Sequence, residues 1–406
     1  MAELIYQQDS VEEVAIIGAG PAGLSAAYYC AKAGLTTTIL EEHKEVGKPV
    51  HCGEGLSEYA INRMELKDIP KEALGLRVKG IKVFFPSGDF VVYREEGYDL
   101  NKDLFENYLL QRAVEQGAKI KTESRVLGLS RKNGVWSIQS TKIGIKSRVV
   151  VDCSGYQSIT NKILKINHKE LELIAGAQYL LDDVATEEFI EFYLDPKLAP
   201  GGYLWIMPKD NNRANVGLVS TQQTEIHKNL KLFIEKKGLD KKKILRPFGG
   251  MIPCGGPLPK TYSDGLLMAG DAAGFTSPMF EGGTQLALKT GQLAAQAIIE
   301  CYNSAKEQNI SDPYEEDRIK IYEQKWKKEL PPYQKILKGK KYFYSFSEEE
   351  LNQIGKILPR DLTKLSIVAK FNIVLKLITR HPGLIKKNFF AAMDTFSYST
   401  GKNYGW

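Results

Sequence analysis

An α/β fold is what this sequence predicts, with a Rossmann-like unit first, a β-rich segment in the middle and a helical C-terminal region. Three observations carry that expectation. The short apolar run Val14 to Ile17 leads directly into Gly18-Ala-Gly-Pro-Ala-Gly23 and a helical stretch. Far downstream a second apolar run, Leu266 to Met268, ends in Ala269-Gly270-Asp271. Between them strand-like alternation dominates, and beyond Tyr302 the pattern turns mainly helical.

Each element follows from its residues. Val14 to Ile17 is uninterrupted and apolar, as a strand covered on both faces must be. The helix after the glycine loop runs to about Ala33, where Gly34 stops it. Thr36 to Leu40 is rich in β-branched residues and completes a βαβ unit. Val83 to Tyr93 alternates around Ser87-Gly88-Asp89 and predicts a hairpin. A helix is expected over Lys102 to Gln116, then strands near Lys119, Arg125, Val135 and Arg148, with Asn133-Gly134 as a hairpin turn. Asn167 to Leu245 reads as strands with one helix near His227 to Lys237, and Thr284 to Tyr302 as a helix. There is no internal repeat and no low-complexity linker.

Composition narrows the classes. The chain has 406 residues, 43% of them hydrophobic, which is enough for two or three sub-domains with buried cores. A net charge of +6 is too mild to argue for nucleic acid. The five cysteines are scattered with no Cys-x-x-Cys pair, and the five histidines lack metal spacing. Neither a disulfide framework nor a metal site is expected, and the cysteine usage fits a reducing cytoplasm. No charged leader with an apolar core precedes the first strand, and no stretch of about 20 apolar residues exists to span a bilayer.

The glycine loop has a physical purpose. Gly18 permits the tight turn out of the strand, Gly20 lets backbone approach a pyrophosphate, and Gly23 lets the helix pack close to the sheet. Glu41 stands 18 residues past Gly23 at the end of the second strand, where an acid can bind ribose hydroxyls. The Gly265 to Gly274 segment resembles the signature of glutathione-reductase-like flavoproteins, in which the aspartate, here Asp271, binds the ribityl chain of FAD. Val149-Val-Val-Asp152-Cys-Ser-Gly155 resembles the strand end of p-hydroxybenzoate-hydroxylase-like flavoenzymes. The arginine usual in that motif is missing, with Asn161 nearby, so Asp152 is assigned no catalytic role. These pieces imply FAD and a discontinuous FAD-binding domain of the glutathione-reductase type, made of residues 1–75, 99–166 and 248–302. A hairpin at 76–98 and the β-rich segment 167–247 then form a substrate-binding domain, and 303–406 the helical C-terminal region.

A narrower resemblance rests on Glu45-Val-Gly-Lys-Pro-Val-His51-Cys52-Gly53-Glu54-Gly55, on Tyr203-Leu-Trp205-Ile-Met207-Pro208, and on Phe248 to Pro257 and Pro278 to Thr284. Together they resemble the geranylgeranyl reductase family, particularly the archaeal digeranylgeranylglycerophospholipid reductases. His51 replaces the family's arginine, Met207 its phenylalanine, and Gly217-Leu-Val219 its glycine-x-glycine. The resemblance implies FAD contacts at Gly18, Gly20, Ala22, Gly23, Glu41, Cys52, Gly53, Gly55, Lys102, Val126, Asp271, Gly283 and Thr284. It implies saturation of isolated prenyl double bonds, by hydride from reduced flavin plus a proton, in an apolar pocket. Cys52, Tyr203 and Trp205 are the catalytic candidates: Cys52 to position or relay the proton, the two aromatic rings as a pocket wall. NADPH, ferredoxin or another reduced carrier are alternatives for the donor. Flavin monooxygenases or halogenases of the same fold, and flavin-free prenyl-binding escort proteins, are the competing classes. Between Lys325 and Lys387, fifteen Lys and Arg face five Asp and Glu. Within that stretch, Leu362 to Thr379 mixes apolar residues with Lys364, Lys370 and Lys376, spaced by six, which is compatible with peripheral contact of a basic amphipathic helix with the inner face of the cell membrane. Oligomeric state is left open.

Overall fold

The computed structural model describes residues 10–406. Its first sheet has as its spine the parallel strands Leu266–Met268, Gly144–Asp152, β1 (Val11–Ile17), β2 (Thr37–Leu40) and Lys119–Lys121, in that spatial order. The register matters for function. Ile17 lies beside Leu40 and beside Asp152, and Asp152 lies beside Met268. Four strands from distant parts of the chain therefore end at one level, and the residues that follow them emerge along one crevice. In open α/β sheets that carboxyl-end crevice is where ligands bind. The Val126–Lys132 and Val135–Ser140 strands extend the sheet as an antiparallel meander.

Helix α1 (Pro21–Lys32) buries Ala22, Leu24, Ala26, Ala27 and Cys30 against the sheet and the long helix Thr284–Gln308. The two helices meet at close range, because a Cβ on Gly291 would stand 2.1 Å from the Ala22 carbonyl oxygen. The long helix passes the expected end at Tyr302 and runs on to Gln308. No glycine or proline interrupts that stretch, and it closes on Asn309 in the left-handed region, φ 55°.

The second sheet has eight strands in the order Ile244–Pro253, Leu173–Leu181, Arg213–Ser220, Tyr203–Lys209, Ile190–Tyr193, Leu76–Phe84, Phe90–Asp99 and Gly55–Ser57. The hairpin read from the sequence is the Leu76–Phe84 and Phe90–Asp99 pair. Strand Ile244–Pro253 crosses position 247/248, and Gly55–Ser57 pairs with Phe90–Asp99. Both therefore belong to this sheet, because backbone pairing and not local composition decides membership. One face carries Leu204, Ile206, Val216 and Leu218 against the helix Ile226–Lys236. The other face carries Ile190, Phe192, Tyr203 and Trp205 toward the C-terminal helices, which supply Phe343, Ile354, Leu377 and Phe389. Among the described residues no helix is long and apolar enough to cross a membrane, and no group of three His, Cys, Asp or Glu is placed to hold a metal.

Candidate active site

The crevice at the strand ends opens into two adjoining cavities, of about 300 and about 450 Å3, which share Gly20, Cys52, Lys102 and Gly155 in their walls. Gly18 leaves β1 with φ +99°, and a Cβ there would lie 2.4 Å from the Cys153 carbonyl oxygen of the neighbouring strand. A Cβ on Gly23 would lie 2.0 Å from the Gly18 carbonyl oxygen, so only glycine allows this tight return. Gly20 has no heavy atom within 4 Å of its Cβ position and faces the crevice. Backbone N–H groups at the start of α1 are thus open to an anion. Ala22 is small because Gly270 packs against its Cβ, a Cβ on that glycine lying 2.9 Å from it.

Glu41 is buried at the end of β2. One of its oxygens accepts the Ala19 N–H at 2.7 Å and the other the His43 N–H at 2.8 Å. The His43 ring nitrogen Nδ1 also lies 2.7 Å from that second oxygen, so the oxygen bonded to Ala19 is the one that keeps a lone pair for an incoming hydroxyl. Val126 is buried in the wall of the same cavity. At the other end Asp271 lines the larger cavity, and among the described residues no donor bonds its carboxylate. Burial pushes that carboxyl up to about 6, against the pull of the Lys102 ammonium. Gly283 and Thr284 start the long helix beside it, with the Gly283 Cβ position 3.2 Å from Asp271 Oδ1. The helix N-terminus therefore points its free N–H groups into the cavity. Asp152, by contrast, turns inward. It accepts from the N–H and Oγ of Ser154 and from the N–H and Oγ1 of Thr160, which accounts for its aspartate structurally.

The Cys52 loop crosses the cavities under a network the sequence did not reveal. The Glu54 N–H donates to Cys52 Sγ at 3.2 Å, and Gln178 Nε2 donates to the Cys52 carbonyl at 3.2 Å. Gln178 Oε1 in turn accepts the Trp205 Nε1–H at 2.6 Å. Gln178 and Trp205 both pair with Gly217 on the strand between them. A Cβ on Gly217 would touch the indole at 2.4 Å, so that glycine lets Trp205 lie flat and reach Gln178. Met207 covers the loop, its Sδ 2.7 Å from the Cβ position of Gly53, while Gly55 packs on Ile190.

Below the loop, Glu54 has φ +75° and is locked by charge. Its carboxylate takes the Lys102 N–H at 3.0 Å, the Asn215 amide at 2.8 Å and the Lys209 ammonium at 3.1 Å. Lys209 also lies 3.1 Å from Asp99, whose carboxyl burial pushes up to about 8. Lys102 lines both cavities and pairs with Glu106 at 3.3 Å. Burial works against its ammonium, but Cys52, Glu106 and Glu54 outweigh that and hold its pKa above the ordinary lysine value.

Tyr203 and Trp205 share a strand face but not a role. Trp205 lines the larger cavity. Tyr203 donates to the Phe280 carbonyl at 2.6 Å and is packed edge-on to Phe192 and Phe280, each ring centroid 5.2 Å away. Phe280 stacks on Phe192 at 4.4 Å and reaches a third, apolar cavity of about 910 Å3. That cavity lies between the Leu76–Phe84 and Phe90–Asp99 hairpin and the C-terminal helices, lined by Val83, Phe85, Ile373, Phe389 and Phe396 among others. Glu281, next to Phe280, lines the larger crevice cavity and pairs with Lys340 at 2.7 Å. The consecutive residues Phe280 and Glu281 therefore face the apolar chamber and the crevice respectively.

An open pyrophosphate turn, a free-sided Glu41, a partnerless Asp271 and a helix N-terminus along one crevice fit FAD, and they define an FAD-dependent oxidoreductase of the glutathione-reductase fold class. Residues 15–177 match the family model for pyridine nucleotide-disulphide oxidoreductases, and residues 172–252 that for the geranylgeranyl reductase catalytic domain. The chain is 34% identical to a digeranylgeranylglycerophospholipid reductase of Methanocaldococcus jannaschii over 93% of this chain and 97% of that one. It is 30% identical to one of Methanothrix thermoacetophila, over 90% and 96%. The chain belongs to the geranylgeranyl reductase family, with the digeranylgeranylglycerophospholipid reductases as its relatives. The crystal structure of a geranylgeranyl bacteriochlorophyll reductase-like protein from Thermoplasma acidophilum superposes with a TM-score of 0.83 at 27% identity, covering 94% of this chain and 99% of that one. A flavin-dependent brominase, at 18% identity and TM-score 0.69 over 85% of this chain and 90% of that one, shares the fold alone.

Proposed function

We propose that this protein saturates isolated C=C bonds in the geranylgeranyl chains of isoprenoid membrane lipids. The observation that carries this is the apolar 910 Å3 chamber, which adjoins the FAD crevice across Phe280 and Glu281. FAD, once reduced, supplies hydride. The chain's own residues do the rest. The chamber holds the prenyl chain and keeps water away, as an unactivated alkene requires. Trp205, fixed by Gln178, offers an aromatic wall to positive charge developing on the alkene. Cys52, held by the Glu54 and Gln178 bonds, stands at the crevice wall and positions or relays the proton. Tyr203 acts through Phe280, whose carbonyl it holds. It sets the partition between chamber and crevice.

FAD is held by Gly18, Gly20, Ala22 and Gly23 at its pyrophosphate, Glu41 at the ribose and Val126 near the adenine. Cys52, Gly53, Gly55, Lys102, Asp271, Gly283 and Thr284 hold the flavin end. The lipid substrate implies work in the cytoplasm, at the inner face of the cell membrane, with a reduced carrier as electron source. The test is anaerobic incubation of dithionite-reduced protein with unsaturated archaeal-type lipid, read by mass spectrometry. Products gaining pairs of hydrogens are expected. No gain with intact, fully reduced flavin overturns the proposal.

A further inference from the structure

The described surface exposes one large apolar face, and it lies on the outer wall of the lipid chamber. Helix Ile367–Arg380 buries Leu377 and turns Ile373 and Val374 toward the chamber. Its opposite side is open. Ile367 is 86% exposed, Val368 67%, Phe371 64% and Ile378 59%, with Leu375 close behind. At 3.6 residues per turn these five residues share one arc of about 100°. Phe390, from the neighbouring helix Phe389–Phe396, is 51% exposed and also lines the chamber, so it marks the chamber's mouth beside this face. Lone exposed apolar residues are ordinary; a contiguous arc of five is an interaction surface.

Charge decides the occupant. Lys370, which also lines the chamber, and Lys376 flank the arc on the two sides of the helix, Lys364 precedes the helix, and Arg380 and Lys386 lie at and beyond its end; among the described residues none of the five has a carboxylate partner within ion-pair distance. The nearby acids are mostly engaged: Asp361 with Arg94, Glu350 with Lys387, Asp394 with Lys335. A second copy docking here about a two-fold axis would bring one set of unpaired flanking cations against another. An anionic bilayer instead accepts both parts, apolar side chains at the headgroup boundary and cations among the phosphates.

We infer that the exposed face of helix Ile367–Arg380, with Phe390, docks on an anionic membrane surface and sets the chamber mouth against the bilayer. Prenyl chains then pass from lipid to chamber without crossing water. The inference rests on the prenyl-lipid reading above, and deepens it by naming the surface.

The experiment is co-sedimentation of the full-length holoprotein with phosphatidylglycerol/phosphatidylcholine vesicles and with phosphatidylcholine vesicles alone. Wild type is expected to bind the anionic vesicles at least about tenfold more tightly. Phe371→Glu with Leu375→Glu, both at solvent-facing positions outside the chamber wall, is expected to weaken that binding about tenfold or more, with unchanged circular dichroism and flavin absorbance. Equal binding by wild type and the double variant overturns the inference, as does absence of wild-type binding. A wild-type dimer in sedimentation velocity that the double variant splits also overturns it, since the face then serves protein contact. Reduction of detergent-dispersed substrate separates the two ideas. If wild type reduces dispersed lipid but ignores vesicles, only the docking surface falls. If it binds vesicles in this charge-dependent way but reduces nothing, the surface stands and the reductase reading falls.

Discussion

Asp99→Asn beside Lys209→Met tests whether the buried charges under the Cys52 loop share a proton. One ammonium, Lys209, faces two carboxyl groups, Glu54 and Asp99, and all three are at most 7% exposed. Two buried carboxylates against one cation leave an excess negative charge that a low-dielectric interior penalises heavily. Burial first, with Glu54 and Asp210 adding to it, pushes Asp99 up to about 8 despite Lys209. At neutral pH Asp99 is therefore mostly a neutral acid, and the ion pair is Lys209 with Glu54. An unfolded aspartate titrates near 3.9. The folded state thus binds this proton more tightly. The associated stability is fully present below about pH 4 and is lost as pH rises through about 8. From pH 5 to pH 8 the wild type loses about 3 to 4 kcal/mol through this group. Asn mimics the protonated acid and has no proton to lose, so Asp99→Asn should gain about that much relative to wild type over the same range. Lys209→Met leaves the Glu54 carboxylate with only the Asn215 amide and the Lys102 N–H, and should cost about 3 to 5 kcal/mol at pH 7. Urea unfolding of the holoprotein at pH 5, 6, 7 and 8, followed by circular dichroism, measures both. Parallel pH profiles for wild type and Asp99→Asn would refute the shared proton.

Two further substitutions address the site. Glu41→Gln keeps one acceptor oxygen but loses the charge and one side of the carboxylate, so FAD should bind about 10- to 100-fold more weakly by flavin-fluorescence titration. Unchanged affinity would remove Glu41 from the ribose site. Cys52→Ala deletes the thiol while the Gln178 bond to the residue 52 carbonyl remains, so flavin content should hold and single-turnover lipid reduction should fall about tenfold or more. Normal turnover would exclude the thiol from the proton path.

Residues whose placement is set by their immediate backbone were legible in the chain. Gly18 and Gly23 are demanded by a turn that closes within a few residues, and Glu41 and Asp271 by standing just past apolar strands. A short apolar run leading into a glycine turn, as at Val14 to Ile17 and Leu266 to Met268, announces a buried strand, so these pieces of the sheet could be read before their pairing was known. Register across strands was not legible. Gln178 is an unremarked polar residue until pairing places it opposite Gly217 with Trp205 on the far side. The Glu54, Asp99 and Lys209 network joins three distant segments, and no local spacing foretells it. Tyr203 and Trp205 alternate as a strand requires, yet only the packing of Phe280 and Phe192 turns one ring into the partition and leaves the other at the crevice. The amphipathic helix shows the same division. Its periodic lysines and apolar residues are present in the sequence, but which face is buried depends on what packs behind it. Helical periodicity constrains a face and says nothing of the neighbour; tertiary structure supplied the neighbour, and with it the chamber on one side and the open face on the other.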